Sequence, residues 1–128
     1  MARILLIDDD DDVRTVVGMV LARCGHTVIE ARDGQEGLDL FPTAVADLVI
    51  TDVMMPRKDG FEVLRALGKR EPPVKVIVMS GGGRIAAENP LDTARQLGAA
   101  QVLAKPVSVK ALMDAIQEVL ASVPHFAG

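Results

Sequence analysis

Asp47-Leu48-Val49-Ile50-Thr51-Asp52-Val53-Met54-Met55-Pro56-Arg57-Lys58-Asp59-Gly60 is the stretch whose reading decides the fold. Its first half is a short, mostly apolar run, the composition of a strand buried on both faces. Asp52 closes that run, and a loop punctuated by Pro56 and Gly60 comes next. A carboxylate at the end of a buried strand can face a cleft while the strand holds it rigid. In open parallel sheets ligands bind outside the carboxyl ends of the strands, which places Asp52 for chemistry. Alone, an aspartate there is more often a solvated strand terminator. The ends of the other strands decide between the two readings.

Upstream, Ile4 to Ile7 form a second short apolar run, succeeded by Asp8-Asp9-Asp10-Asp11-Asp12. Val13, Val16, Val17, Val20 and Leu21 then recur at the spacing of an amphipathic helix, which Gly25 stops at a C′ position. Thr27-Val28-Ile29 reads as a weaker strand. Asp33-Gly34-Gln35-Glu36 has the form of a capping box, opening a short helix that carries Leu38 and ends before Pro42. Downstream, Asp59 caps a third helix with Phe61, Leu64 and Leu67 facing inward. Val74 to Met79 form a fourth strand leading to Ser80 and Gly81-Gly82-Gly83. Asn89-Pro90 offers an N-cap and N1 proline for a helix with the weakest apolar stripe, ending before Gly98. Residues 81–89 are expected to be mobile. Gln101 to Ala104 form the fifth strand, running into Lys105-Pro106. Ser108 caps a last helix striped by Val109, Leu112, Met113, Ile116, Val119 and Leu120. Five alternations of strand and helix imply βαβ units and a parallel sheet with helices on both faces.

The totals narrow the function classes. At 128 residues the chain makes one domain, able to bury about two-thirds of its unfolded surface. A net charge of −4 argues against a basic nucleic-acid-binding face. Cys24 is the sole cysteine, which excludes an internal disulfide and a cysteine metal cluster, and it is expected as a small buried residue on its helix. His26 and His125 have no ligand-spaced neighbours and read as surface residues. No apolar run approaches the length of a membrane span, and the run before the acids is too short for a signal peptide. The expectation is a cytoplasmic protein with one domain over 1–122, a frayed tail at 123–128 and no output domain.

The carboxyl ends of strands one, three, four and five carry Asp8 and Asp9, Asp52, Ser80 and Lys105. The proposed topology puts them all on one edge. Three carboxylates so close repel, each contact near 4 Å costing roughly 4 kcal/mol at an effective dielectric of about 20. Either one proton is retained or a divalent cation neutralises them. An all-oxygen donor set selects a hard ion, Mg²⁺ above others. Lys105 adds a mobile positive charge and Ser80 a hydrogen-bond donor. Cation, ammonium and hydroxyl around a carboxylate suit phosphoryl transfer, and aspartate is an accepted nucleophile toward phosphorus. Each part has a bland reading. The Asp run alone complements a helix dipole, as Asp11 and Asp12 are expected to do, and Ser80 and Lys105 alone are loop polar groups.

On these motifs the chain resembles the response-regulator receiver domains of bacterial two-component signalling, over about residues 3–121. The resemblance rests on Asp8-Asp9, Asp52, Met55-Pro56-x-x-Asp59-Gly60, Ser80 and Lys105-Pro106, in that order and spacing. It implies a flavodoxin-like (βα)5 three-layer sandwich with sheet order 2-1-3-4-5. It implies that Asp52 takes a phosphoryl group from a phosphohistidine on a histidine kinase or histidine phosphotransfer protein. Asp9, Asp52 and the main-chain carbonyl of Met54 would hold Mg²⁺, with Asp8 acting largely through water. Lys105 would contact the phosphoryl oxygens, Ser80 would move to hydrogen-bond one of them, and the Lys105–Pro106 peptide would be cis. The face of helix four, strand five and helix five would change shape and bind a downstream protein. Such a chain transfers a phosphoryl group to itself and loses it to water, without acting as an enzyme on a separate substrate.

One position departs from the family. The aromatic residue usual three positions before the lysine is Val102 here, so the usual hydroxyl–aromatic coupling is missing, and a relay through Gly81-Gly82-Gly83 is the alternative. Met54 and Gly82 occupy positions that tune attack by water on the acyl phosphate. Three rival readings are weaker. Gly81-Gly82-Gly83-Arg84-Ile85-Ala86 fits a dinucleotide-binding pattern but comes after the wrong strand. A Mg²⁺-dependent phosphohydrolase with an Asp nucleophile lacks its second acid, since Met54 stands there. A pseudo-receiver adaptor would not need the full set of acids.

Overall fold

In the computed structural model, residues 2–53, 55, 59–70, 72–81 and 90–121 are described, without the side chains of 90–92. The strands are β1 (Arg3–Ile7), β2 (Thr27–Ala31), β3 (Leu48–Asp52), β4 (Val76–Ser80) and β5 (Gln101–Ala104). They alternate with α1 (Asp11–Arg23), α2 (Gly34–Ala44), α3 (Gly60–Gly68), α4 (Pro90–Gln96) and α5 (Val109–Ala121). All pairings are parallel and the order is β2-β1-β3-β4-β5, as the resemblance implies. Met54, the segment 82–89 with Asn89, and the tail at 123–128 with His125 lie outside the described residues.

The apolar runs lack alternation because the inner strands are covered on both sides. β3 and β4 are buried at every position. Ile4, Leu6, Leu48, Ile50, Ile77 and Met79 pack with Leu21 of α1 and with Leu112, Ile116 and Val119 of α5. The alternate residues, among them Leu5, Ile7, Val49, Val76 and Val78, pack with Val63, Leu64 and Leu67 of α3 and Ala94 of α4. β2 and β5 are the edges and only partly buried, which is why their apolar signals are faint.

Local signals set most boundaries. Asp33 and Asp59 accept from the main-chain N–H of Glu36 and Glu62, at 2.8 and 2.9 Å, and Ser108 Oγ accepts from Ala111 N–H at 3.0 Å. Gly25 stands just after α1 at φ 91°, a left-handed C′ residue. The other half of the expected capping box is displaced, since Glu36 Oε1 accepts from Arg32 N–H at 2.7 Å.

Several expectations are corrected. α2 does not end before Pro42 but contains it and runs on to Ala44. In this last turn Pro42 gives up its own hydrogen bond and crowds the carbonyl four residues back, yet only two helical residues follow it. β4 starts at Val76 and takes in Ser80. Val16 and Val109, placed on apolar stripes, are 61% and 56% exposed, because each stripe is wider than the strip of sheet its helix covers. Cys24 is exposed at the α1 C-cap. His26 is half-buried, and its Nδ1 accepts from Ala2 N–H at 3.1 Å, fastening the start of β1.

Two tight joints bear on stability. The α2–β3 turn passes through Val45 at φ 51°, a left-handed conformation that a β-branched residue adopts at a cost of about 1–2 kcal/mol. Arg3 holds that turn, with Nε donating to Ala44 O at 2.9 Å and its main-chain N–H donating to Asp47 Oδ2 at 2.8 Å. Since Val45 is 72% exposed, Val45→Asn is expected to raise the unfolding free energy by about 1 kcal/mol, read by urea denaturation. The second joint is at Gly60, whose N–H donates to Val53 O at 2.9 Å. A Cβ there would lie 2.3 Å from the main-chain oxygen of Asp52. Gly60→Ala is therefore expected to destabilise by about 2 kcal/mol or more in the same assay, since the obstacle is backbone that cannot rotate away.

Candidate functional site

Strand register brings the acids together. Ile7 pairs with Thr51, so the next residues, Asp8 and Asp52, leave β1 and β3 side by side. Asp8 continues the face of Ile4 and Leu6, and Asp52 that of Leu48 and Ile50, the side of the sheet covered by α1 and α5. Lys105, two residues beyond Leu103 of the same layer, emerges from β5 on that side as well. The Asp8 side chain is wholly buried, Asp52 is 7% exposed and Asp9 is exposed at the rim. Their carboxylates offer oxygens that all lie within 4.8 Å of one another.

The lysine is shared. Lys105 Nζ donates to Asp8 Oδ2 at 3.0 Å and pairs with Asp52 Oδ2 at 3.3 Å. The remaining oxygens of the two acids face main-chain donors: Asp8 Oδ1 accepts from Asp10 N–H and Asp52 Oδ1 from Val53 N–H, each at 2.9 Å. Burial pushes the Asp52 carboxyl above the usual carboxylate range; the Lys105 charge opposes this, the Asp8 charge adds to it, and the net direction is up. Burial pulls Lys105 down, but its hydrogen bond to Asp8 and the charges of Asp52 and Asp8 outweigh that, leaving it above an ordinary amine. The ammonium is thus firmly charged, and among the described residues it is the one cation paired with the Asp8 and Asp52 carboxylates.

Ser80 closes β4 beside Ala104 of β5, and its main-chain oxygen accepts from Lys105 N–H at 2.9 Å. Its hydroxyl is buried and has no hydrogen-bond partner among the described residues. An unpaired buried hydroxyl costs about 1–3 kcal/mol, so the site is set to gain from an added acceptor. The donor set also fits a hard divalent cation: clustered carboxylate oxygens carry excess negative charge with no soft ligand among them. The Lys105–Pro106 peptide is cis.

Asp8, Asp9, Asp52, Ser80 and Lys105 thus meet at one sheet edge, and Met54 lies outside the described residues. Two residues escape sequence reasoning. Asp10 reads as one acid in a run, yet it caps α1 by accepting from Asp12 and Val13 N–H at 2.9 and 3.1 Å. Its spacing before the helix is the signal that could find it. Arg14 reaches the main-chain oxygen of Asp8 with Nη1 at 2.8 Å, a contact no local pattern announces. Beside Lys105 opens a largely apolar groove of about 520 Å³, lined by Val13, Val16 and Val17 of α1, Met79 and Val107, with Asp12 at its margin.

Comparison with known proteins agrees with this geometry. Residues 4–117 match the family model of the response regulator receiver domain. The transcriptional regulatory protein AfsQ1 of Streptomyces coelicolor is 37% identical over 122 residues, covering 94% of this chain and 52% of that protein. A probable transcriptional regulator, ycf27, of Guillardia theta is 34% identical over 118 residues, covering 92% and 45%. The chain therefore spans about half the length of these curated relatives. Among solved structures, a response regulator receiver domain protein of Clostridium thermocellum superposes with a TM-score of 0.85 at 32% identity, covering 94% of this chain and 95% of that one. The chemotaxis protein CheY4 of Vibrio cholerae gives 0.82 at 28% identity, covering 93% and 98%. Sheet order, site and sequence lead to one conclusion: the chain belongs to the response-regulator receiver domain family.

Proposed function

We propose that Asp52 is the phosphoacceptor of a phosphorylation-dependent switch, charged by a phosphohistidine on a histidine kinase or histidine phosphotransfer protein. The observation that carries this reading is the shared lysine: one ammonium held between the buried Asp8 and the nucleophile candidate Asp52. In the transfer, the phosphorus–nitrogen bond to the donor imidazole breaks as a bond from an Asp52 carboxylate oxygen to phosphorus forms. Lys105 is positioned to leave Asp52 for the arriving phosphoryl oxygens while keeping Asp8. Ser80 Oγ, without a partner among the described residues, donates to another of them. Asp8, Asp9 and Asp52 would hold Mg²⁺, which supplies charge neutralisation at the phosphoryl oxygens when bound. The chain modifies itself and returns to rest when water cleaves the acyl phosphate; it turns over no separate substrate.

The donor must bring its imidazole to the rim of this cleft. The groove beside Lys105, with Val16 exposed on one wall, offers the adjoining apolar face against which a donor surface would rest. The signal would be read by a partner protein at the face of α4, β5 and α5. Val102 there is partly buried and packs against the layer that holds Ala94, so an aliphatic residue fills the position of the family's ring. No helix among the described residues is long and apolar enough to cross a membrane, in keeping with a cytoplasmic signalling role.

The direct test is intact mass after incubation with acetyl phosphate and Mg²⁺. One added phosphoryl group is expected, and none in Asp52→Asn or in metal-free buffer. An adduct that persists in Asp52→Asn would refute the assignment. Absence of any adduct, with Mg²⁺ still raising the melting temperature, would mark a receiver that signals by binding alone.

A second expectation concerns the resting charge. Because the folded state raises the pKa of Asp52, its ionised form is a burden that is fully present above the folded pKa and fades as pH falls toward the unfolded value. In metal-free buffer at neutral pH, Asp52→Asn should therefore be more stable than the native chain by about 1 kcal/mol, the scale of one partly screened like-charge contact. The gap should narrow on acidification. Thermal melts across pH check both statements.

A further inference from the structure

Arg14 sits one turn into α1 with its guanidinium spread over three elements. Nη1 donates to the main-chain oxygen of Asp8 at 2.8 Å, Nε donates to Glu30 Oε1 on β2 at 3.1 Å, and Nη2 pairs with the Asp11 carboxylate. Its side chain is only 12% exposed. The main chain of Asp8 is thereby held on both sides, because its N–H donates to Ala31 O of β2 at 3.1 Å. Gly18 makes room for this arrangement: a Cβ there would lie 3.3 Å from Glu30 Oε2. The atoms Arg14 bonds in these contacts are not the carboxylate oxygens of Asp8, Asp9 or Asp52.

We propose that Arg14 is a positioning residue for the divalent-cation site. Its planar fork fixes the peptide that joins Asp8 to Asp9, and so fixes the spacing of the two carboxylates on either side of that peptide. This rests on the reading of Asp8, Asp9 and Asp52 as a cation site. Positioning and simple electrostatics make opposite predictions here. Removing a positive charge near three acids should by Coulomb's law tighten cation binding. Loss of the tether should loosen it. Mg²⁺ demands near-ideal octahedral geometry, whereas Ca²⁺ accepts irregular and larger coordination, so a loss of positioning falls mainly on Mg²⁺.

The test is calorimetric titration of the full chain with MgCl₂ and with CaCl₂ at one ionic strength, heat being the suitable signal in a chain without Trp or Tyr. Arg14→Gln is expected to raise the Mg²⁺ dissociation constant about tenfold or more, the range seen when residues that orient metal ligands are lost. The Ca²⁺ constant should rise by about threefold at most, since that ion tolerates displaced ligands. Arg14→Lys restores the charge without the fork and should behave as Arg14→Gln does. Mg²⁺ binding that is unchanged or tighter in Arg14→Gln, a loss equal for both ions, or full rescue by Arg14→Lys would each overturn the inference. Should Arg14→Gln not fold, Glu30→Ala releases one anchor and leaves the Asp8 contact; it should weaken Mg²⁺ about threefold and Ca²⁺ less, and equal effects on both ions would again overturn the inference. A native chain that binds no Mg²⁺ would instead overturn the reading of the cation site.

Discussion

Two carboxylates held side by side at the ends of adjacent central strands are the constraint on which the rest of the structure depends. Asp8 and Asp52 cannot separate, because the register of β1 on β3 fixes their origins and burial fixes their directions. Their repulsion must be met from elsewhere in the chain, and β5 meets it. That edge strand pairs with β4 so that Lys105 emerges in the same layer as the acids and reaches both. Because Lys105 lies far from Asp8 in sequence, the sheet has to be complete before the two acids gain their shared cation. The site is thus a property of the whole sheet.

The same arrangement leaves the resting state short of its best energy. One ammonium does not balance three acids, and the Ser80 hydroxyl is buried without a partner among the described residues. Each deficit is of the order of 1–3 kcal/mol, small beside the burial of two continuous apolar layers but large against the net stability of a domain. A hard cation would relieve the first deficit and an anionic oxygen the second, so the stability of the fold should be tied to occupancy of the site by mass action.

Much of this is legible in the sequence, for a physical reason. The inner strands are buried on both faces, so Leu48–Asp52 and Val76–Ser80 appear as unbroken, mostly apolar runs, and the residues at their carboxyl ends share one edge of any parallel sheet. Asp33, Asp59 and Ser108 are readable because capping is a contact between near neighbours. The failures lie where the deciding contact is distant. Pro42 reads as a stop, yet a helix can outlast a proline near its end. Val16 and Val109 belong to their stripes by spacing, but how much of a stripe is covered depends on the width of the neighbouring layer. Arg14 shows locally only its pair with Asp11, since its partners Asp8 and Glu30 come from two different regions of the chain.

The aliphatic residue at Val102 bears on how an event at Asp52 would travel. Side-chain rotation of a ring is unavailable there, since Val102 is a partly buried aliphatic residue packed against the layer that holds Ala94. The main chain provides a connection instead. Lys105 N–H is bonded to Ser80 O, so the ends of β4 and β5 are joined next to the two residues that would grip a phosphoryl group. A pull on the Lys105 side chain or the Ser80 hydroxyl acts on the same hydrogen bond from either end. Beyond it the chain passes through Pro106 and Val107 to Ser108, whose hydroxyl caps α5 at 3.0 Å. On the proposed reading, displacement at the site therefore has a short, stiff path to the start of α5. That path needs no aromatic residue, because it is built from the backbone and its hydrogen bonds.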